Sequence, residues 1–123
     1  MSKRRVVITG MGIVSPVGST LDDAWRNVYE GNSGTVVVDD FDTSTYPTRI
    51  AGLVQGFDVD AYLAKKDQRK NDPFIHYSVG ASIDAIRDSG LEITEENGHR
   101  IGVALGAGIG GIQTIEDNLK KMF

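Results

Sequence analysis

Cysteine is absent from this 123-residue chain, which removes disulfides, thiolate metal sites and a cysteine nucleophile from anything these residues do alone. Positive charge is in the minority: 13 Lys and Arg stand against 17 Asp and Glu, for a formal net charge of −4. General nucleic-acid binding requires a basic face to neutralise phosphates, so the composition argues against it. Long apolar runs are missing too. Lys3-Arg4-Arg5 is followed only by Val6 to Ile8 before glycines interrupt, too short a run for a signal peptide, and no stretch approaches a membrane span. These absences describe a soluble, cytoplasmic protein without a membrane partner. Histidine is scarce, and His76 and His99 are not at metal-ligand spacing, so no metal is expected. No Gly-x-Ser-x-Gly elbow frames a serine, and Ser15 has no nearby histidine as base. Asp39-Asp40 and Asp42 read as a charged loop rather than paired catalytic carboxylates. There is no internal repeat.

Glycine is plentiful, with 15 residues, and it falls in two clusters. The first lies in Val6-Val7-Ile8-Thr9-Gly10-Met11-Gly12-Ile13-Val14-Ser15-Pro16-Val17-Gly18, a β-branched run entering glycines. It misses the dinucleotide fingerprint, because Ser15 stands at the third glycine position and Pro16 forbids a helix there. The second, Gly106-Ala107-Gly108-Ile109-Gly110-Gly111, fits Gly-x-Gly-x-x-Gly fully, after an apolar run and before a helical pattern. Against a nucleotide site, its strand is not the first of its unit, the position for a ribose-binding acid lies past residue 123, and short glycine patterns match by chance. A tight strand-to-helix turn is the plainer reading, with a dinucleotide-binding domain as the alternative.

Periodicity gives the rest of the organisation. Ser19-Thr20 precedes an i, i+3, i+4, i+7 stripe of Leu21, Ala24, Trp25 and Val28, and Gly31 ends it. Thr35 to Val38 and Arg49 to Val54 read as short strands within a loop-rich stretch, and Asp58 starts a helical turn over Val59 to Ala64. Asp72 as cap and Pro73 in the first turn open a helix that Gly90 closes. Apolar residues cover well over a third of its circumference, which predicts a helix packed between layers, with Gly80 tolerated for close packing. Ile101 to Gly106 reads as a second buried strand and Gly111 to Phe123 as a helix with Ile112, Ile115 and Leu119 on one side. The order predicts an α/β layered fold with a crossover between strands. Lys65, Lys66, Arg69 and Lys70 fall on one face if their segment is helical. A solvated face explains such a run by itself, and steering of an anionic partner is the functional alternative.

The opening string, together with Gly31-Asn32-Ser33-Gly34, Phe41-Asp42-Thr43-Ser44, Ala51-Gly52-Leu53-Val54, Asp67-Gln68-Arg69-Lys70, the block from Asp88 to Asn97 and Gly108-Ile109-Gly110-Gly111, resembles the β-ketoacyl-acyl carrier protein synthases, the condensing enzymes of fatty acid synthesis, and within them the type II group. The resemblance covers essentially the whole chain but only the first part of a family member. It implies a thiolase-like αβαβα layered fold, of which residues 1 to 123 supply an incomplete N-terminal part of the N-terminal domain. It implies decarboxylative Claisen condensation of malonyl-acyl carrier protein with an acyl thioester, a homodimer, and no cofactor. The residue matching Ile109 helps bound the acyl pocket beside Gly108, and Lys66, Arg69 and Lys70, with Lys65 less firmly, match the patch that docks acidic acyl carrier protein. The family's cysteine nucleophile and two histidines have no match here, so residues 1 to 123 alone are expected to be inactive, and folding alone is doubtful. A catalytically silent partner resembling chain-length factors, and a free-standing carrier-protein-binding module, stay open as alternatives.

Overall fold

The computed structural model describes residues 3–123, which divide into two units. One comprises residues 13–57. It begins with a turn closed by two backbone bonds, Ser15 N–H to Gly18 C=O at 3.0 Å and the reverse pair at 3.1 Å. Helix α1, Leu21–Glu30, follows. Its start is capped by the Thr20 side chain, which accepts from the Asp23 amide, and Asp22 and Asp23 sit at the positive end of the helix dipole. Its end is set by Gly31, whose φ of 74° permits the left-handed turn that returns N–H groups to the last carbonyls. Strands β1, Thr35–Val37, and β2, Ile50–Gly52, pair antiparallel with Val36 opposite Ala51.

The expected strands at 35–38 and 49–54 are therefore present, shortened. The apolar stripe of α1 is only partly used: Ala24 is 4% exposed, but Trp25 is 72% exposed. Pro16 is the other packing centre. Its atoms lie where side chains at Gly34 and Gly52 would have to go, and Asn27 ties α1 to the turn by donating to the Val17 carbonyl at 2.7 Å.

The other unit comprises residues 3–12 and 58–123. Asp58 starts a 3-10 turn, Val59–Ala61, by accepting from the Asp60 amide. Helix α2, Lys65–Gln68, is a single turn, and helix α3, Pro73–Ser89, ends on Gly90 with φ 64°. A 3-10 turn at Gly98–Arg100 and helix α4, Ile112–Met122, complete it. Helix α3 is the hub, with most of its side chains half-buried and Gly80 fully buried. The Tyr62 hydroxyl donates to Asp84 at 2.7 Å, Arg87 lies over the Tyr62 ring, and the Met11 amide donates to Asp88 at 2.8 Å.

Two expectations are corrected. Residues 4–8 and 101–106 form no ladder among the described residues; Val6 is 89% exposed, and Val103 and Leu105 also face outward. The sequence signal is β-branched alternation and apolarity, but a strand exists only against a hydrogen-bonding neighbour, and the crossover sheet has none within these residues. The second concerns Asp72. It occupies the cap position of α3, yet its side chain makes no capping bond there and serves α4 instead.

Burial within the described residues is slight. Ala24, 4% exposed, is the only buried apolar side chain among the described residues.

Candidate functional site

The basic segment is built by α2 and the turn that follows it. After the single helical turn the chain stays coiled, with the Lys70 amide bonded to the Asp67 carbonyl at 3.1 Å. Asp60, from the 3-10 turn before it, accepts from Lys65 at 2.7 Å and from Gln68 at 2.7 Å. These bonds, that to Lys65 above all, hold the Asp60 carboxyl below its usual range. Lys65 is thereby paired at the surface. Among the described residues no carboxylate pairs with Lys66, Arg69 or Lys70, and all three are exposed. Of the four expected cations, three, Lys66, Arg69 and Lys70, are thus exposed and without an ion pair among the described residues. An acidic chain thus carries a local basic patch.

The second glycine cluster is open at its start and fixed at its end. A side chain at Gly106 or Gly108 would meet nothing within 4 Å, and Ile109 is 77% exposed. Gly110 and Gly111 then adopt φ of 61° and 56°, a double left-handed turn open only to glycine at little cost. The Phe74 ring lies 3.0 Å from where a Gly110 Cβ would be, and an Asp72 oxygen 2.8 Å from that of Gly111. Thr114 donates its hydroxyl to Asp72 at 2.6 Å. A carboxylate therefore stands at the start of α4, where a bound pyrophosphate would have to sit, and this like charge counts against the dinucleotide reading. Sequence reasoning assigned Asp72 to its own helix; only the fold brings Thr114, 42 residues on, to it.

Beside this turn, α3 and the run leading into the cluster enclose a mainly apolar cleft of about 160 Å³ lined by Phe74, Ile75, Ser78, Val79, Leu105, Gly106 and Ala107. Gly108 and Ile109 lie just past its lining. The His76 Nε2 donates to the Gln68 carbonyl at 3.1 Å, joining α3 to the basic segment. No group of acidic residues and histidines suited to a metal occurs among the described residues. None of their helices is long and apolar enough to cross a membrane.

Comparison with known proteins gives this arrangement a family. The sequence model of the beta-ketoacyl synthase, N-terminal domain, matches residues 3–122. The chain is 57% identical over 116 residues to 3-oxoacyl-[acyl-carrier-protein] synthase 2 of Vibrio cholerae, covering 94% of this chain and 28% of that protein. The same-named protein of Coxiella burnetii is 48% identical over 118 residues, covering 96% of this chain and again 28% of the relative. Among solved structures, the ishigamide ketosynthase/chain length factor superposes with a TM-score of 0.64 at 28% identity, over 78% of this chain and 23% of that one. The chain thus spans a little over a quarter of the length of the curated relatives it matches. The α/β architecture, the glycine turns and the near end-to-end match converge: this chain belongs to the beta-ketoacyl synthase N-terminal domain family.

Proposed function

We propose that the full-length protein is a 3-oxoacyl-[acyl-carrier-protein] synthase of fatty acid biosynthesis, and that residues 1 to 123 are an incomplete N-terminal part of its N-terminal domain. The observation that carries this is the 57% identity to synthase 2 over 94% of the chain. In the reaction, a cysteine thiolate contributed from outside residues 1 to 123 takes the acyl group from its thioester. Malonyl thioester then loses carbon dioxide, and the electron pair left behind forms a carbon–carbon bond to the acyl carbonyl. The tetrahedral centre collapses by expelling the thiolate. This segment has no cysteine, so it cannot act as that nucleophile, and its contribution is binding and shape. The complete enzyme is a cytoplasmic homodimer of thiolase-like architecture.

Lys66, Arg69 and Lys70 dock the acidic acyl carrier protein, with Lys65 a lesser contributor because Asp60 holds it. Free cations on a chain of net charge −4 act within a Debye length of about 8 Å at physiological salt, steering an anionic partner to one place. Ile109 and Gly108 bound the acyl pocket, the glycine letting the backbone approach the chain and the branched side chain acting as a wall. The mainly apolar cleft beside them, with no free cation in its lining, supports a hydrocarbon ligand over a phosphate.

The test uses the full-length enzyme with acyl- and malonyl-carrier protein. Carbon dioxide release coupled to chain elongation is expected. Absence of both ends the reading, and decarboxylation without elongation points to a chain-length-factor-like partner, a class named in the solved relative. Reversing Arg69 and Lys70 to Glu is expected to weaken carrier-protein binding at low salt and to flatten its salt dependence; unchanged affinity removes the docking assignment.

A further inference from the structure

The contact between Asp72 and Thr114 has no part in the chemistry above, yet it joins the two functional segments. We propose that Asp72 and Thr114 are positioning residues for acyl-chain selection: their hydrogen bond fixes the Gly110-Gly111 turn and thereby sets where the Ile109 side chain stands. The proposal rests on Ile109 being a wall of the acyl pocket.

The geometry is specific. Thr114 Oγ1 donates to Asp72 Oδ1 at 2.6 Å, and the other carboxylate oxygen, Oδ2, lies 2.8 Å from the place of a Gly111 Cβ. One carboxylate thus contacts the turn and the first turn of α4 together. Its negative charge also suits the positive end of the α4 dipole. Asp72 gives up side-chain capping of its own helix to do this. Phe74, two residues on, closes against Gly110, so the start of α3 grips both left-handed glycines.

What surrounds the grip makes it decisive. Gly106 and Gly108 have nothing within 4 Å on one side of the turn, and Gly111 offers α4 only its carbonyl, which accepts from the Ile115 amide at 3.0 Å, and no side-chain cap. Ile109 is attached directly to the anchored pair, and its side chain is 77% exposed. The anchor is α3, whose His76 also donates to the Gln68 carbonyl of the basic segment. The chain that presents Arg69 and Lys70 therefore leads within two residues to the carboxylate that holds the pocket turn.

The experiment uses the full-length enzyme and acyl-carrier-protein primers of short and long chain. Thr114→Val keeps the shape and removes the donor. It is expected to change the long-to-short ratio of kcat/KM by about threefold or more, with faster amide exchange over residues 106–112, while carrier-protein affinity stays at its wild-type value. Thr114→Ser, which restores the hydroxyl, is expected to return both readouts to wild type. Should Thr114→Val not fold, Asp72→Asn, of equal size and uncharged, gives a smaller shift in the same direction. Ile109→Phe is measured beside them. A shift with Ile109→Phe but none with the Thr114 and Asp72 variants overturns the positioning role and leaves the pocket assignment standing. No shift with any of them overturns both. An equal loss on all primers accompanied by a lowered Tm identifies a purely structural bond and also overturns the proposal.

Discussion

The two glycine clusters look alike as strings and are packed in opposite ways. A Cβ at Gly12 would lie 1.9 Å from the Ala81 carbonyl oxygen, and one at Gly10 would lie 2.3 Å from that of Ala85. Those glycines exist so that an extended segment can press on the backbone of α3. At Gly106 and Gly108 there is open space, and at Gly110 and Gly111 it is the left-handed backbone that excludes other residues. The same residue type stands in three surroundings: close approach, a left-handed conformation, and open space. A pattern of glycines is therefore a statement about neighbours, and its meaning is read only from what each missing Cβ would touch.

Four substitutions in the full-length protein would break or sharpen this contrast. The largest effect is expected for Gly12→Ala, which forces a methyl group into a helix backbone that cannot yield cheaply. A loss at or above the upper end of ~1–3 kcal/mol is expected in denaturant unfolding, and an unchanged midpoint would show that the segment does not lie on α3. Gly110→Ala demands a left-handed alanine against the Phe74 ring, for an expected loss of ~1–2 kcal/mol in the same measurement.

Tyr62→Phe tests whether α3 is as firmly held as the close approach of Gly12 requires. Removing the hydroxyl from Asp84 is expected to cost ~1 kcal/mol at neutral pH. The bond to Asp84, with a smaller contribution from burial, raises the Tyr62 pKa above its ordinary value of 10.0. In the folded state the proton is thus held more tightly than in the unfolded state, so the stabilisation is complete below pH 10 and declines as pH rises through the folded-state value. The variant is expected to lose that part of the alkaline decline, and identical alkaline profiles would remove the bond from the account. The smallest effect is expected for Gly108→Ala, within about 0.5 kcal/mol in stability. A larger loss would show that the open side of the cluster is filled by chain beyond residue 123.

Much of the fold was legible because its signals are local. Thr20 and Gly31 bracket α1, Pro73 and Gly90 bracket α3, and Asp58 starts its turn, each through a bond or a dihedral set within a few residues. The α/β class and the family were legible for a different reason, the particular combination of residues along the whole chain. Legibility failed wherever the partner is distant. Val6 to Ile8 and Ile101 to Gly106 read as strands but pair with no neighbour among the described residues. Asp72 has the sequence position of a cap, and nothing near it announces Thr114. The basic segment was visible as charge, but that Asp60 withdraws Lys65 from it depends on the fold of the preceding turn.

The unpaired runs around Val6 and Val103 also bear on how a longer chain is made. On a ribosome adding about 5–20 residues per second, a protein of the relatives' length, of which this segment matches 28%, would leave these bare backbone edges waiting for tens of seconds. Such edges are templates for pairing with any other extended chain. Until a neighbouring strand pairs with them, shielding such runs would limit association with other chains.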